Sequence, residues 1–302
     1  HRLLLDAGRR LQGRAPLRTP EHGELLAMDA WFAGFSSAMT DLAAQLAALP
    51  HVRVFNAPPD ITCMTDKLAC QRHLAARGVP VPRLLGPVHG YAHLQELLRG
   101  HALDRVYLKP RYGSSASGVV AYRRNKTGRQ QATTSASLLC ANGETRLLNS
   151  KRLSRYENEH DIAALVDTLA AQHLYAEAWL NKPRCGDSHY DLRVVTLGGR
   201  PAHRVARIGD QMMTNLHLDN RRGDAGGLLS EADMLALEAT ATLAARAFPS
   251  SHVTGLDLVV RHGQARVLEA NAFGDLLPGL LWQGADTYAA QLAQPPHFTH
   301  HA

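Results

Sequence analysis

Several things are scarce in this sequence, and each scarcity excludes something. Four cysteines, Cys63, Cys70, Cys140 and Cys185, occur in 302 residues, and no two form a C-x-x-C pair. That excludes a disulfide framework and a thiolate zinc site and fits a reducing cytoplasm. Apolar runs break well short of the ~18–20 residues that span a bilayer. No basic start, apolar stretch and small-residue cleavage site mark secretion. A cytoplasmic protein with no membrane partner is expected. The chain opens His1-Arg2-Leu3 without an initiator Met, so a shortened first domain is also expected. Ala- and Arg-rich usage suggests a bacterial source.

What is present is a globular composition. Apolar residues make up 45% and charged residues 20%, neither disordered nor fibrous. Lys and Arg outnumber Asp and Glu by 33 to 27. A modest basic excess favours anionic partners, and nucleotides or acidic metabolites qualify as well as nucleic acid. Arg123, Arg124 and Arg129 are not interleaved with aromatics as stacking readers are, so no nucleic-acid partner is expected. Histidines number 17, and those at 297, 300 and 301 sit in a tail read as a frayed terminus.

Local signals divide the chain. Thr40-Asp41 opens a helix with Leu42, Leu46 and Leu49 on one side, and 51–55 reads as a strand. Residues 65–77 read as a helix with Thr65 as N-cap and Gly78 as terminator. Strands follow at 106–109 and 119–122, and the aperiodic, polar stretch 123–135 reads as a mobile insertion. Ile162, Leu165, Val166 and Leu169 recur at helical spacing, and 174–180 is a strand. Two hairpins are signalled, 191–197 with 201–208 around Gly198-Gly199, and 255–261 with 265–270 around His262-Gly263. A helix starts at Ser230 with Asp233 three residues on, close to a capping box. Hairpins interrupted by helices place the chain in the α+β class.

Four constellations carry chemistry. Asp257 and Glu269 interrupt the apolar strands of the second hairpin, and Asn271 points with Glu269. A three-residue loop at 262–264 places Asp257 opposite Glu269, whereas a two-residue loop does not. Carboxylates gathered on one face repel unless a cation lies between them, and hard oxygens suit Mg²⁺. Lys109 ends a strand before the run Arg111-Tyr112-Gly113-Ser114-Ser115-Ala116-Ser117-Gly118, whose small residues let backbone N–H groups approach an anion. It is neither a Walker A loop nor a Rossmann fingerprint. Asp191 and Arg193 share a strand face, and Arg204, Arg207 and Asn215 add anion-binding groups. Lys67 opens a helix against its dipole. Taken singly, each feature reads as well or better as solvated acids, a loop or surface charge.

In order, however, these stretches resemble the ATP-grasp superfamily, and within it the branch of glutathione synthetases and ribosomal-protein glutamate ligases. The likeness runs from about Asn56 to Gly279. Asp66-Lys67 through Gly78-Val79-Pro80-Val81-Pro82 is similar to the first-lysine helix and "GIPVP" segment. Leu108-Lys109-Pro110 through Gly118-Val119 is similar to the second lysine and its glycine-rich loop. Asp191-Leu192-Arg193-Val194, Ala206-Arg207-Ile208 and Asn215-Leu216 resemble the "DLRV", "ARI" and "NL" signatures. Gly255 to Leu258 with Glu269-Ala270-Asn271 resembles the metal-binding pair.

The resemblance implies an ATP-grasp fold: two α+β subdomains clasping ATP, at 63–175 and 176–302, after a short N-terminal α/β domain at 1–62. It implies Lys67 and Lys109 on the phosphates, with Gly113, Ser114, Ser115 and Gly118 closing over them. Glu177, with Ala178 and Leu180, would take the adenine and ribose. Asp191 would support the nucleotide site. Asp257, Glu269 and Asn271 would carry Mg²⁺, with Mn²⁺ as an alternative, and Arg207, Arg193 and Asn215 would be catalytic. The implied activity is a carboxylate–amine ligase working through an acyl phosphate on a small-molecule or peptide carboxylate and an amine. An ATP-grasp kinase and a non-catalytic ATP-binding regulator are the alternatives.

The sequence departs from the family pattern at three places. The glycine-rich loop is serine-heavy, the first domain is short, and Ala272-Phe273-Gly274-Asp275 follows Asn271 where Ser-Pro is usual.

Overall fold

A computed structural model describes residues 1–113, 116–141, 144–210, 221–272, 277–294 and 296, without the side chains of 140, 141, 144 and 151. Ser114, Ser115, Asn215 and the histidine tail therefore lie outside the described residues. The helices are α1 (Arg2–Leu11), α2 (Met28–Ala47), α3 (Pro58–Thr65), α4 (Lys67–Ala76), α5 (Tyr91–Gly100), α6 (Glu159–Ala170), α7 (Glu231–Arg246) and α8 (Thr287–Ala293). The strands are β1 (Leu84–Pro87), β2 (Arg105–Pro110), β3 (Val120–Arg124), β4 (Gln130–Ala141), β5 (Glu144–Tyr156), β6 (Leu174–Ala178), β7 (Arg184–Cys185), β8 (Ser188–Leu197), β9 (Arg200–Gly209), β10 (Arg221–Gly223), β11 (Val253–Arg261) and β12 (Gln264–Asn271).

Two compact units form, one from residues 1–37 and 83–179, the other from 38–82 and 180–302. This differs from the three consecutive segments expected at 1–62, 63–175 and 176–302. Residues 23–25 hydrogen-bond to β5, through Leu25 N–H on the Leu147 carbonyl and Asn149 N–H on that of Gly23. That ties the start of the chain to the first unit. The α3–α4 pair instead gives Met64, Cys70 and Leu74 to the core of the second.

The first unit is an antiparallel sheet in the order β1-β6-β2-β3-β4-β5. One face packs Val106, Leu108, Val120 and Ala176 against Leu94 and Leu98 of α5 and the Ile162, Leu165, Val166 and Leu169 stripe of α6. That stripe is the one the helical period indicated. The stretch 123–135 is not an insertion. It forms the β3–β4 turn and the start of a long strand. Asn125 Oδ1 closes the turn by accepting from the Thr127 and Arg129 N–H groups, and polar side chains on both strand faces hide the alternation. In α1 and α2, Gly8 and Gly34 let two backbones touch, since a Cβ on either would overlap the carbonyl of Ala30 or Leu4. Helix α2 begins at Met28, not Thr40, and Leu42 and Leu49 are exposed.

The second unit is an antiparallel sheet in the order β10-β9-β8-β11-β12, with β7 on β8. Alternation sends Leu192, Val194, Leu256, Leu258 and Val260 into a core with Leu237, Ala241 and Ala244 of α7. Ser230 caps α7 by accepting from Asp233 N–H at 3.2 Å, as the capping pattern indicated. The opposite face ends in a smaller apolar cluster where Val195, Leu197 and Val253 meet Leu277 and Ala290. The expected strand at 51–55 does not form. Among the described residues it has no partner strand, and Asn56 instead bridges Ser251 and donates to the Val253 carbonyl at 2.8 Å. Thr65 is not the α4 cap: its hydroxyl turns back to the Ile61 carbonyl, and Asp66 Oδ1 accepts from Ala69 N–H at 3.0 Å.

No helix among the described residues is long and apolar enough to cross a membrane. Cys63, Cys70 and Cys185 are free thiols.

Candidate active site

The charged residues of the second unit gather on one face of its sheet because register puts them there. Asp191 lies opposite Arg207 across β8–β9, and Arg193 lies opposite Asp257 across β8–β11. Asp257 in turn lies opposite Glu269 across β11–β12. That last pairing arises by a route other than a three-residue loop. Arg261 pairs with Gln264, so the loop has two residues, His262 and Gly263, both at positive φ (53° and 69°). Unbroken pairing would then put Glu269 on the core face. A β-bulge at Leu268 shifts the register between Asp257 and Leu258 and returns Glu269 to the face of Asp257.

Helix α4 secures the bulge. Gln71 Nε2 donates to the Leu268 carbonyl at 2.6 Å, and Lys67, one turn earlier on the same helix face, pairs with Glu269 Oε1. Gln71 is buried at 2% exposure. Nothing in the sequence singled it out, because a glutamine in a helix carries no signal until its partner carbonyl is known.

The ions then form a chain. Lys182 Nζ lies 2.8 Å from Asp191 Oδ2, and Arg207 Nε lies 2.7 Å from Asp191 Oδ1. Arg207 reaches on to Asp257 Oδ2 at 3.0 Å. Arg193 clasps Asp257 as a fork, Nε to Oδ1 at 2.5 Å and Nη2 to Oδ2 at 3.3 Å. Lys67 and Glu269 complete the row. Four cations thus face three carboxylates, leaving one positive charge. The Asp191 and Arg207 side chains are only 3% and 7% exposed, whereas Glu269, at 30%, forms the open end.

Burial alone would raise the pKa of Asp191, but Arg207 and Lys182 overcome it and hold it well below the usual carboxylate range. Asp257 is likewise held low against burial, by Arg193 and Arg207. For Lys182 burial wins over the attraction of Asp191, and its ammonium titrates below the ordinary lysine value. Asn271 lies opposite Gly255 and donates its Nδ2 to the Gly255 carbonyl at 3.2 Å.

Among the described residues no group of three or more His, Cys, Asp and Glu side chains could hold a metal. Two facing carboxylates and an amide oxygen do suit Mg²⁺, which usually completes its shell with water and phosphate oxygens.

In the first unit, Lys109 on β2 pairs with Glu177 on β6 at 2.5 Å, and Glu177 is buried at 1%. Tyr107, opposite Glu177 in register, stacks on Trp179 with ring centroids 4.7 Å apart. Lys109, Tyr107, Glu177 and Trp179 thus share a sheet face by alternation. The Ala178 N–H donates to the Arg83 carbonyl at 2.8 Å. Leu180 follows outside any strand. Gly113 sits beside Met28, whose Cε would lie 3.2 Å from an added Cβ. Gly118 has φ +70°, and a Cβ there would meet Pro110 Cγ at 2.8 Å and Leu25 Cδ1 at 2.9 Å. Packing and backbone conformation therefore require that glycine.

No family model matches the chain, and no curated protein matches it. Solved structures do. D-cycloserine synthetase DcsG superposes with a TM-score of 0.53 at 20% identity, over 96% of this chain and 92% of that one. A D-alanine–D-alanine ligase from Bacillus anthracis complexed with ATP gives 0.52 at 10% identity, over 83% and 68%. The ATP-grasp ligase PsnB complexed with a minimal precursor gives 0.50 at 17% identity, over 85% and 70%. In a further structure of the Bacillus anthracis ligase the chain spans 62% of that protein's length. At such identities the likeness shows the fold: this chain has an α+β ATP-grasp fold.

Proposed function

We propose that the protein is an ATP-dependent carboxylate–amine ligase, nearest to the glutathione synthetase and ribosomal-protein glutamate ligase branch of its fold. A substrate carboxylate takes the γ-phosphoryl group of ATP to give an acyl phosphate and ADP. An amine then displaces phosphate and leaves an amide. The observation that carries the reading is the row of alternating charges on the β9-β8-β11-β12 face, together with the ATP-grasp fold. Phosphoryl transfer spreads negative charge over equatorial oxygens, and preorganised cations stabilise it with no enzyme nucleophile.

In this reading Lys67 and Lys109 exchange their carboxylate partners for ATP phosphates. Glu177 then serves the adenine or ribose, with backbone groups of Ala178 and Leu180 on the adenine edge. The Ala178 N–H is already committed to the Arg83 carbonyl. Gly113, Ser114, Ser115 and Gly118 form the loop over the phosphates. Asp257, Glu269 and Asn271 hold Mg²⁺, or Mn²⁺ in its place, and the bound metal neutralises phosphate charge. Arg207, Arg193 and Asn215 face the transferred group and the acyl substrate. Asp191, locked between Lys182 and Arg207, orients Arg207 rather than touching nucleotide.

The test is ADP release from ATP and Mg²⁺ over a matrix of amino acids, short peptides and small diacids as acids, each with and without amines. Amide product with stoichiometric ADP is the expected result. Phosphate ester as the end product, or no ADP from any pair, refutes the ligase reading.

A further inference from the structure

The first unit holds a polar concavity that the ligase reading does not use. A groove of about 560 Å³ opens where β3, β4 and β5 meet, lined by Arg123, Arg124, Arg129, Arg155, Gln131 and Glu157 among others. Register explains the crowding. Arg105 lies directly opposite Arg123 across β2–β3, and Arg123 lies opposite Gln131 across β3–β4. Like charges placed opposite in a sheet cost stability.

The charges are poorly compensated. Arg123 Nε spends one donor on the neutral Gln131 Oε1 at 2.8 Å. Arg124 reaches Asp104 Oδ1 at 3.3 Å and Gln95. Arg155 pairs with Glu157, and both are about 60% exposed (63% and 60%), so an incoming carboxylate exchanges with that pair at little cost. The side chains of Arg105 and Arg129 have no hydrogen-bond or ion-pair partner among the described residues.

The lining selects among anions. None of the groove residues is aromatic, so it offers no stacking platform for bases. The Glu157 carboxylate within it repels an unbroken run of phosphodiesters but can be bypassed by separate charges. Guanidinium forks match planar carboxylates two bonds at a time. Arg123 stands on β3 and Arg155 on β5 with β4 between them, two strand spacings or about 9.6 Å apart across the sheet, and Arg129 lies in the β3–β4 turn; an extended peptide, at ~3.4 Å per residue, covers such a span in three or four residues.

We propose that this groove docks an extended, acidic polypeptide segment, with its side-chain carboxylates taken by Arg123, Arg129 and Arg155. The docking stands apart from nucleotide chemistry and needs no ATP.

The experiment is fluorescence anisotropy of the full chain with fluorescein-labelled hexaglutamate, against labelled hexaglutamine and a thymidylate oligonucleotide. It is repeated for Arg123→Glu/Arg155→Glu, for the neutral pair Arg123→Gln/Arg155→Gln, and for a remote control of equal charge change on exposed residues of the second unit, Arg53→Glu/Arg246→Glu. Thermal melts with and without ATP–Mg²⁺ verify folding and report nucleotide binding separately. Saturable hexaglutamate binding is expected, weakened at least about tenfold by the groove reversal, less by the neutral pair, and about twofold or less by the remote control. The ATP-induced melting shift should be equal in all four proteins. Equal losses in groove and remote variants, tighter binding of the oligonucleotide than of hexaglutamate, or no saturable hexaglutamate binding would overturn the proposal.

Discussion

Arg207→Ala removes a cation shared by two buried carboxylates. Asp191 loses a 2.7 Å contact and Asp257 a 3.0 Å contact, although Lys182 still serves the first and Arg193 the second. Stripping one partner from a buried ion pair costs about 3–5 kcal/mol. The surviving partners put this case at the lower end, about 3 kcal/mol. Urea unfolding followed by circular dichroism measures the loss as a shift of the midpoint at unchanged slope. A double-mutant cycle with Asp191→Ala should return a coupling of at least about 1 kcal/mol, because the second truncation removes the stranded carboxylate. Arg207→Lys keeps the charge but cannot fork onto two acids, and it should fall between wild type and alanine. ADP release is expected to vanish in the alanine variant even at temperatures where it stays folded, with ATP affinity little changed. A loss below about 1 kcal/mol with no coupling would mean that the row is solvated, and the reasoning from buried charge would fail.

Gln71→Leu leaves the Leu268 carbonyl at the bulge without its donor, which should cost about 1–3 kcal/mol. If the bulge aims Glu269, Mg²⁺ dependence should weaken more than ATP affinity does. An unchanged metal titration would separate the bulge from the metal. Asp191 and Asp257 both have depressed folded-state pKa values, so the stability they confer is complete above their unfolded value of about 3.9 and is lost as pH falls through the lower folded values. Thermal midpoints should therefore drop below about pH 4, and Asp191→Asn should flatten that drop. Lys182 gives the same sign of pH dependence from a destabilising contribution: its charged form is penalised at neutral pH, and the penalty is relieved as pH rises through its lowered pKa. A stability loss concentrated between neutrality and pH 5 would contradict these assignments.

Parts of the fold were legible because local physics determines them. The α6 stripe is a helical period, the Gly198-Gly199 turn needs two positive φ values, and the Ser230 cap satisfies an orphan N–H. Other parts were not. The contact of α1 with α2 depends on two glycines far apart in the chain, Gly8 and Gly34. Arg123 to Gln131 reads as a polar tract until β3 and β4 pair, because both faces of that hairpin carry polar side chains. Asp66 displaced Thr65 as a cap because α3 ends where α4 begins, which a single-helix reading could not contain.

By itself the sequence determined which charged residues the strands carry and, along unbroken stretches of strand, on which face they lie, since alternation is a property of one extended backbone. It could not determine which charges meet, because that depends on register between strands. Glu269 faces Asp257 only through the extra residue at Leu268, and Lys182, Arg207 and Gln71 find their partners only once separate segments are packed. Electrostatic energy depends on distance through space, and folding sets that distance.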